Sequence, residues 1–410
     1  MSLRSDAEQI YRGALQDALP DEAVRRALSQ IDFGGKSVHL VAIGKAAWQM
    51  AAAAHAALPG AVADGVVITK YEHAKGPIGE LRIFEAGHPV PDRNSYAATG
   101  EVIKLVSALT EQDAVLFLVS GGGSALFERP LIGEEEFEDI TRQLLASGAD
   151  ITEMNVIRKR LSAVKGGKFA QLCAPARVYA VILSDVLGDP LDAIASGPAY
   201  PDSSTREDAL RIARQYELRL SPAALACLEE ETPKTLDNVE SIVTGSVRQL
   251  CASAERICRE LGYRPILLTD RLSCTARDAG VFLANIARSH AGDGEKLAYI
   301  AGGETVVRLT GHGLGGRNQE LALAAADGIR GLEKVCVFSV GSDGTDGPTD
   351  AAGGYVDGGS ARALEAEGIE LAAVLQDNDS YHALEAIGGL IVTGPTGTNV
   401  NDLCCVLVGG

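Results

Sequence analysis

Short apolar runs recur along the chain, and longer stretches with apolar residues at helical spacing separate them. The runs predict strands at 38–43, 66–69, 82–85, 115–119, 178–183, 241–243, 265–268, 297–301, 305–309, 335–340 and 403–408. Helical spacing predicts helices at 5–30 with a break at Pro20, then at 46–58, 95–109, 134–147, 152–172, 205–216 and 221–229. After residue 239 it predicts helices at 247–261, 276–290, from Arg317 onward with Leu321, Ala324 and Ala325 on one face, at 359–367 and at 377–387.

Strand–helix alternation thus runs through the chain twice, with the low-charge stretch 232–239 between the two passes. The order implies two layered, parallel-rich α/β domains, 1–238 and 239–410. A length of 410 residues is enough for two full cores.

Composition narrows the function classes. A net charge of -18 argues against bulk attraction to nucleic acid or an anionic membrane, so an anionic ligand needs locally concentrated Lys and Arg. No apolar run reaches membrane-spanning length, and the N-terminus MSLRSDAEQI lacks an apolar signal core. None of the eight cysteines shows zinc-type pairing, and several sit in apolar patterns, as expected of reduced core residues in a cytoplasmic protein.

Polar and glycine clusters follow the predicted strands: Gly44-Lys45, Ser120-Gly121-Gly122-Gly123-Ser124, Ser184-Asp185 with Asp189, Ser342-Asp343, and 393–399 ending in Asn399. Open α/β sheets bind ligands outside the carboxyl ends of their strands. The 120–124 loop offers successive N–H groups with little side-chain bulk, which suits phosphate oxygens. Gly311, Gly313, Gly315 and Gly316 precede the helix that Arg317 opens, a second arrangement suited to an anion. Its Gly-x-Gly-x-x-Gly spacing also fits a dinucleotide loop, but Glu333 lies before the next apolar run and not after it. A P-loop is absent, since Gln30 stands where the first glycine of a motif ending at Gly35-Lys36-Ser37 belongs. The serine-hydrolase elbow is absent too, because Leu126 occupies the place of its last glycine. Arg158, Lys165 and Lys168 cluster within 155–168, and Asp185, Asp189 and Asp343 are hard oxygen donors suited to Mg²⁺. Such an inventory, without a thiol or histidine constellation, suits phosphoryl transfer.

Nine segments together carry a family resemblance: VAIGKAA at 41–47, GHPVPD at 87–92, LVSGGGSAL at 118–126, NVIRKRLSAVKGGK at 155–168, SDVLGDPLDAIASGP at 184–198, AGGET at 301–305, GLGGRNQELAL at 313–323, SVGSDGTDGPTDAAGG at 339–354 and GPTGTNVNDL at 394–403. Over nearly its whole length the chain resembles the class of glycerate 2-kinases that carry a MOFRL domain. The resemblance implies a larger Rossmann-like N-terminal α/β domain, a smaller C-terminal MOFRL-type α/β domain and an active site in the cleft between them. It implies transfer of a phosphoryl group from ATP, with Mg²⁺, to the 2-hydroxyl of D-glycerate. The family's functional positions fall on Lys45, Glu304, Arg317, Asp343 and Asn399. In this reading Lys45 and Arg317 neutralise the transferring phosphoryl group or hold the glycerate carboxylate. Ser120 to Ser124, with Arg158 and Lys165, contact the ATP phosphates, and Asp185 or Asp189 is the base or the Mg²⁺ ligand. Two other classes stay open: an NAD(P)H-dependent hydroxypyruvate reductase using the Gly311 loop, and a non-catalytic anion-binding regulator. Whether the chain forms a homo-oligomer is open as well.

Overall fold

The computed structural model describes residues 2–184, 186, 188 and 190–410. Six strands form the first sheet: β1 (Ser37–Ile43), β2 (Val62–Lys70), β3 (Arg82–Ala86), β4 (Asp113–Val119), β5 (Arg177–Leu183) and β6 (Val239–Gly245). Their order is β3-β2-β1-β4-β5-β6, and the pairs β3–β2, β2–β1, β1–β4 and β4–β5 are parallel. β4 is buried along nearly its whole length, as expected of a strand covered by helices on both faces. Strand order 3-2-1-4-5-6 is that of the Rossmann fold, whose order reverses between β1 and β4.

The remaining strands are β7 (Arg264–Leu272), β8 (Leu297–Gly303), β9 (Val335–Gly341), β10 (Gly353–Asp357), β11 (Leu390–Ile391) and β12 (Asp402–Val408), in the order β11-β10-β9-β12-β8-β7. This sheet corrects the parallel-rich expectation for the second half. Only β7–β8 is parallel, while β12 runs antiparallel to both β8 and β9, as does β10 to β9 and to β11. Strand–helix alternation cannot show that the last strand inserts between two earlier ones. That insertion brings Asp402 beside the carboxyl ends of β8 and β9, opposite Gly303 and Gly341.

The chain divides into two compact units. One comprises Ala23–Ser184 and the stretch ending at Thr244; the other comprises the chain up to Glu22 and Gly245–Gly410. Neither unit is contiguous in sequence. Helix Leu3–Asp17 packs against helix Val247–Glu260, and its Tyr11 ring meets Phe338 edge-on at 5.9 Å. Val239–Gly245 lies at the edge of the first sheet and not at the start of the second. The expected strand at 305–309 does not form: apart from a single bridge between Val306 and Thr275 the segment is irregular, and Val306 and Leu309 are exposed. Among the described residues no helix is long and apolar enough to cross a membrane.

Candidate functional site

In the first unit, Ile43 of β1 pairs with Val119 of β4, so the turns after these strands meet at the strand-order reversal. Ser120 clasps them together. Its N–H and its hydroxyl both donate to Ile43 O, at 3.0 and 3.1 Å, and the hydroxyl accepts from Ala46 N at 3.1 Å. That hydroxyl is buried and fully engaged, so Ser120 supports the loop and does not offer its side chain to a ligand. Lys45 N donates to Gly121 O at 2.8 Å, which sets the root of the lysine beside the loop.

The loop itself is open. The N–H groups of Gly121, Gly122, Gly123 and Ser124 donate to no described protein acceptor, and helix Gly123–Leu126 has no side-chain cap. Gly122 adopts φ 85°, a left-handed conformation that glycine takes without a Cβ penalty. Successive unpartnered amides around such a residue form a concavity that binds phosphate-type anions. The half-buried Lys45 ammonium beside it makes no hydrogen bond or ion pair with any described residue. The lysine and four amides without a described acceptor thus lie on neighbouring strand-end turns.

The basic run 155–168 behaves otherwise. Lys165 is fully buried; its ammonium donates to Ser124 O at 2.9 Å and Phe127 O at 2.8 Å, and pairs with the buried Glu128 carboxylate at 3.2 Å. All three donors are engaged, so the expected contact of Lys165 with ATP phosphates is corrected: it buttresses the open loop from behind. Burial pulls its pKa down to about 8 against the opposing pull of Glu128. Lys168 likewise donates to three carbonyls, those of Lys159, Arg160 and Ser162. Lys159 bonds the buried Asp202 at 3.0 Å, and the buried Arg160 bonds Ser204. Arg158 is half-exposed and reaches Ser124 O at 3.4 Å. Charges clustered in sequence are here pulled inward by acceptors distant in sequence. Ser124 Oγ lies 3.2 Å from Ser196 Oγ, which donates to Asn155 Oδ1 at 3.1 Å, fixing the other end of the loop.

In the second unit, Arg317 opens helix Arg317–Ala325. Its Nε and Nη2 donate to the two oxygens of Asp402 at 2.6 and 3.0 Å, and Nη1 donates to Glu304 Oε1 at 2.9 Å. Glu304 Oε2 accepts from Asn401 Nδ2 at 3.3 Å. A guanidinium has five N–H donors, so two remain for a ligand. Burial opposes the charge of Arg317, but the two carboxylates outweigh it and raise its pKa. For Asp402 burial dominates and its pKa rises in spite of Arg317. The two shifts point in different directions for stability. The bidentate geometry shows an ionised pair in which Asp402 bears most of the desolvation. Sequence reading missed Asp402; the signal was a carboxylate opening an otherwise apolar strand.

The glycine loop before Arg317 is partly closed: most of its amides meet acceptors of the protein, while those of Gly315, Gly316 and Arg317 donate to no described acceptor and line a groove. Asn318 N and Gln319 N donate to the carboxylate of Asp346, at 3.2 and 2.9 Å. Gly311 N and Thr310 N donate to Asn378 Oδ1, His312 N to Asp377 Oδ1, Gly313 N to Asp377 O and Leu314 N to Asp379 Oδ1. The glycines exist because the backbone around 377–380 passes too close for a Cβ: one added at Gly311 or Gly313 would lie 2.3 or 2.4 Å from Asp377 or Asp379. The protein's own acceptors thus meet the amides of 310–314 and of Asn318 and Gln319, and leave those of Gly315, Gly316 and Arg317 without a described acceptor.

Glu304, Arg317, Asp343 and Asp346 nevertheless line one groove of about 700 Å³. Asp343 is half-exposed, and its Oδ1 accepts from Thr345 N at 3.0 Å. Asn399 is exposed and outside that lining, on a loop held to the Asp343 turn by Val400 N to Ser342 Oγ at 2.8 Å and Thr396 N to Asp343 O at 3.1 Å. Asp185 and Asp189 lie outside the described residues.

Residues 6–229 match a domain family of unknown function, DUF4147, and residues 297–402 match the MOFRL family. The D-glycerate 2-kinase of Thermotoga maritima is 50% identical, covering 99% of both chains, and the crystal structure of a glycerate kinase from that organism superposes with a TM-score of 0.95 over 99% of each. The glycerate 2-kinase of Pyrococcus horikoshii is 39% identical over 100% of this chain and 98% of its own. A relative from Agrobacterium vitis, 39% identical over 100% of this chain and 95% of its own, carries a provisional hydroxypyruvate reductase name. With both domain matches in the expected order and relatives aligned along its full length, the chain belongs to the family of glycerate 2-kinases that carry a MOFRL domain.

Proposed function

We infer that the protein is a kinase that transfers the γ-phosphoryl group of ATP to the 2-hydroxyl of D-glycerate, giving 2-phosphoglycerate and ADP. One observation carries the reading beyond family membership. At the Rossmann switch point, the amides of Gly121 to Ser124 and the Lys45 ammonium, none with a partner among the described residues, lie on two adjoining strand-end turns. Phosphoryl transfer needs little covalent chemistry from a protein; it needs phosphates positioned and their charge neutralised. Gly121 to Ser124 are proposed to cradle phosphate oxygens through their N–H groups, with Lys45 neutralising the transferring group. Arg317 is proposed to use its two remaining N–H donors on substrate oxygens, oriented by Asp402 and Glu304.

Mg²⁺ belongs to this proposal as the ion that screens the triphosphate. Among the described residues no cluster of three His, Cys, Asp or Glu side chains is arranged to hold a metal. That fits an ion carried by the nucleotide, because Mg²⁺ takes one or two carboxylates and fills its shell with phosphate and water. Asp185 or Asp189 is proposed for that carboxylate or for the base on the 2-hydroxyl, with the half-exposed Asp343 as the described alternative.

The reductase reading has one support, the name of the Agrobacterium relative. Against it, the first strand–helix turn carries Gly44 alone where a dinucleotide loop needs three glycines, and β2 ends in Lys70, where NAD binding needs a carboxylate. The test supplies D-glycerate, ATP and Mg²⁺ and follows ADP, while enolase added to the mixture converts only the 2-phosphorylated product. Hydroxypyruvate-dependent NADH oxidation without ADP formation would reverse the assignment.

A further inference from the structure

His88 lies in the loop after β3, outside every role assigned above. Yet it abuts the open amide loop. A Cβ placed on Gly122 would sit 3.0 Å from His88 Cδ2, 3.1 Å from its Nε2 and 3.3 Å from Lys45 Cγ. The imidazole and the lysine stem therefore flank the same glycine, and any side chain at 122 would wedge them apart. More positive charge gathers around them. Lys70 ends β2, and His73 Nδ1 donates to Lys45 O at 3.0 Å, so that its other ring nitrogen points elsewhere. His88 and Lys45 thus flank Gly122, with Lys70 and His73 close enough to act electrostatically on His88, a local concentration of basic groups in a chain of net charge -18.

We propose that His88 is a ligand-contacting residue which, together with Lys45, grips an anionic oxygen group seated on the amides of Gly121 to Ser124. The proposal rests on the kinase reading for the identity of that group, which is a phosphoryl group of the nucleotide or the carboxylate of glycerate. Its physical basis is charge compensation. In the free protein the imidazole is held neutral: burial, then Lys45, Lys70 and His73, all lower its pKa. An anion bound between His88 and Lys45 reverses the electrostatic part of that balance. The imidazole then takes a proton from solvent, and its N–H⁺ donates to the bound oxygen. Binding is thereby coupled to proton uptake and weakens as pH rises through the pKa of the liganded imidazole.

Calorimetry on the full-length protein reads this directly. Sulfate, D-glycerate and ATP with Mg²⁺ are titrated separately in two buffers of different protonation enthalpy. Sulfate stands in for a phosphoryl group whose charge does not change with pH. The wild type is expected to take up protons with sulfate if His88 serves the phosphoryl group, or with glycerate if it serves the carboxylate. His88→Gln should weaken that ligand roughly tenfold, as expected for loss of a charge-assisted hydrogen bond, and abolish the uptake. His88→Lys restores a fixed cation, so it should recover most of the affinity while leaving no proton uptake. Thermal melting checks that both variants fold. Proton-free binding of all three ligands by the wild type overturns the proposal, as does unchanged affinity in folded His88→Gln. Failure of the kinase reading is separate: proton-coupled sulfate binding without ADP formation from glycerate would keep His88 as an anion contact and discard the reaction.

Discussion

Arg317 and Asp402 form an asymmetric pair, and a double-mutant cycle exposes the asymmetry. Asp402 is 6% exposed, whereas the Arg317 side chain keeps 33% exposure and a second partner in Glu304. Arg317→Met leaves the Asp402 carboxylate buried with its two best donors gone, and breaking such a pair typically costs about 3–5 kcal/mol. Asp402→Asn costs less. It also removes the charge whose burial is unfavourable, and Arg317 retains Glu304 and water, so a loss of about 2 kcal/mol is expected after discounting for that exposure. For a unit of this size, 2 kcal/mol corresponds to a fall in Tm of roughly 4–8 °C. The double variant should be no less stable than Arg317→Met alone, because once the cation is absent the neutral amide is the better occupant of the buried position. Urea denaturation of the four proteins gives the coupling energy, expected at about 2 kcal/mol or more. In the ADP assay, both single variants should lose about 10²-fold or more in kcat/KM, and Arg317→Lys should resemble them because an ammonium cannot replace a bidentate fork. Additive stability losses, or Asp402→Asn proving the more damaging of the two, would show that Asp402 does not depend on Arg317 for its burial and would sink the argument.

Three other substitutions separate ligand contacts from scaffolding. Lys45→Met should fold normally, since its ammonium has no partner among the described residues, and lose about 10²–10³ in rate, seen in kcat if the contact is to the transition state and in KM for glycerate if it is to the carboxylate. Lys165→Met should do the opposite, losing about 3–5 kcal/mol of stability because Glu128 is left buried and unpaired; normal melting with a raised KM for ATP would contradict its buttressing role. Burial pushes Asp346 up to about 6, so between pH 4 and 6 the folded state binds more protons than the unfolded state and stability through this group falls as pH rises. Relative to Asp346→Asn, the wild type should therefore lose about 2 kcal/mol from pH 4 to 7, and parallel denaturation curves across that range would refute it.

What could be read from the chain followed local patterning. Apolar runs ending in glycine or hydroxyl residues located the carboxyl ends of β1, β4, β8 and β9, where the candidate groups sit. That signal is local because a strand buried on both faces must be apolar and the turn beyond it must not be. Strand direction was not legible: β10 begins with Gly353-Gly354 and reads as loop, and β12 joins its sheet between two partners, β8 and β9, that are far from it in sequence. The stretch 305–309 shows the converse error. It has strand-like composition, yet Val306 and Leu309 face solvent because a strand also needs a neighbour along its length.

Charge was the least legible property, for a related reason. Two glycine loops and one basic helix looked equivalent in sequence as anion-binding devices, yet the basic helix and residues 310–314 are met by acceptors of the protein, whereas the amides of 121–124 meet none among the described residues. The deciding factor is where the opposite partner comes from. Asp346 reaches the start of helix Arg317–Ala325 from 29 residues beyond Arg317, the earliest point at which β9 has returned the chain to that end of the sheet. Lys165 meets Glu128 because the short helix Gly123–Leu126 has already turned the chain inward. Among the described residues no long-range acceptor arrives at the amides of Gly121 to Ser124 or at the ammonium of Lys45. Donors left without a described protein acceptor at a strand-order reversal keep their free energy of interaction for a molecule that comes and goes, which is why we propose the ligand site there.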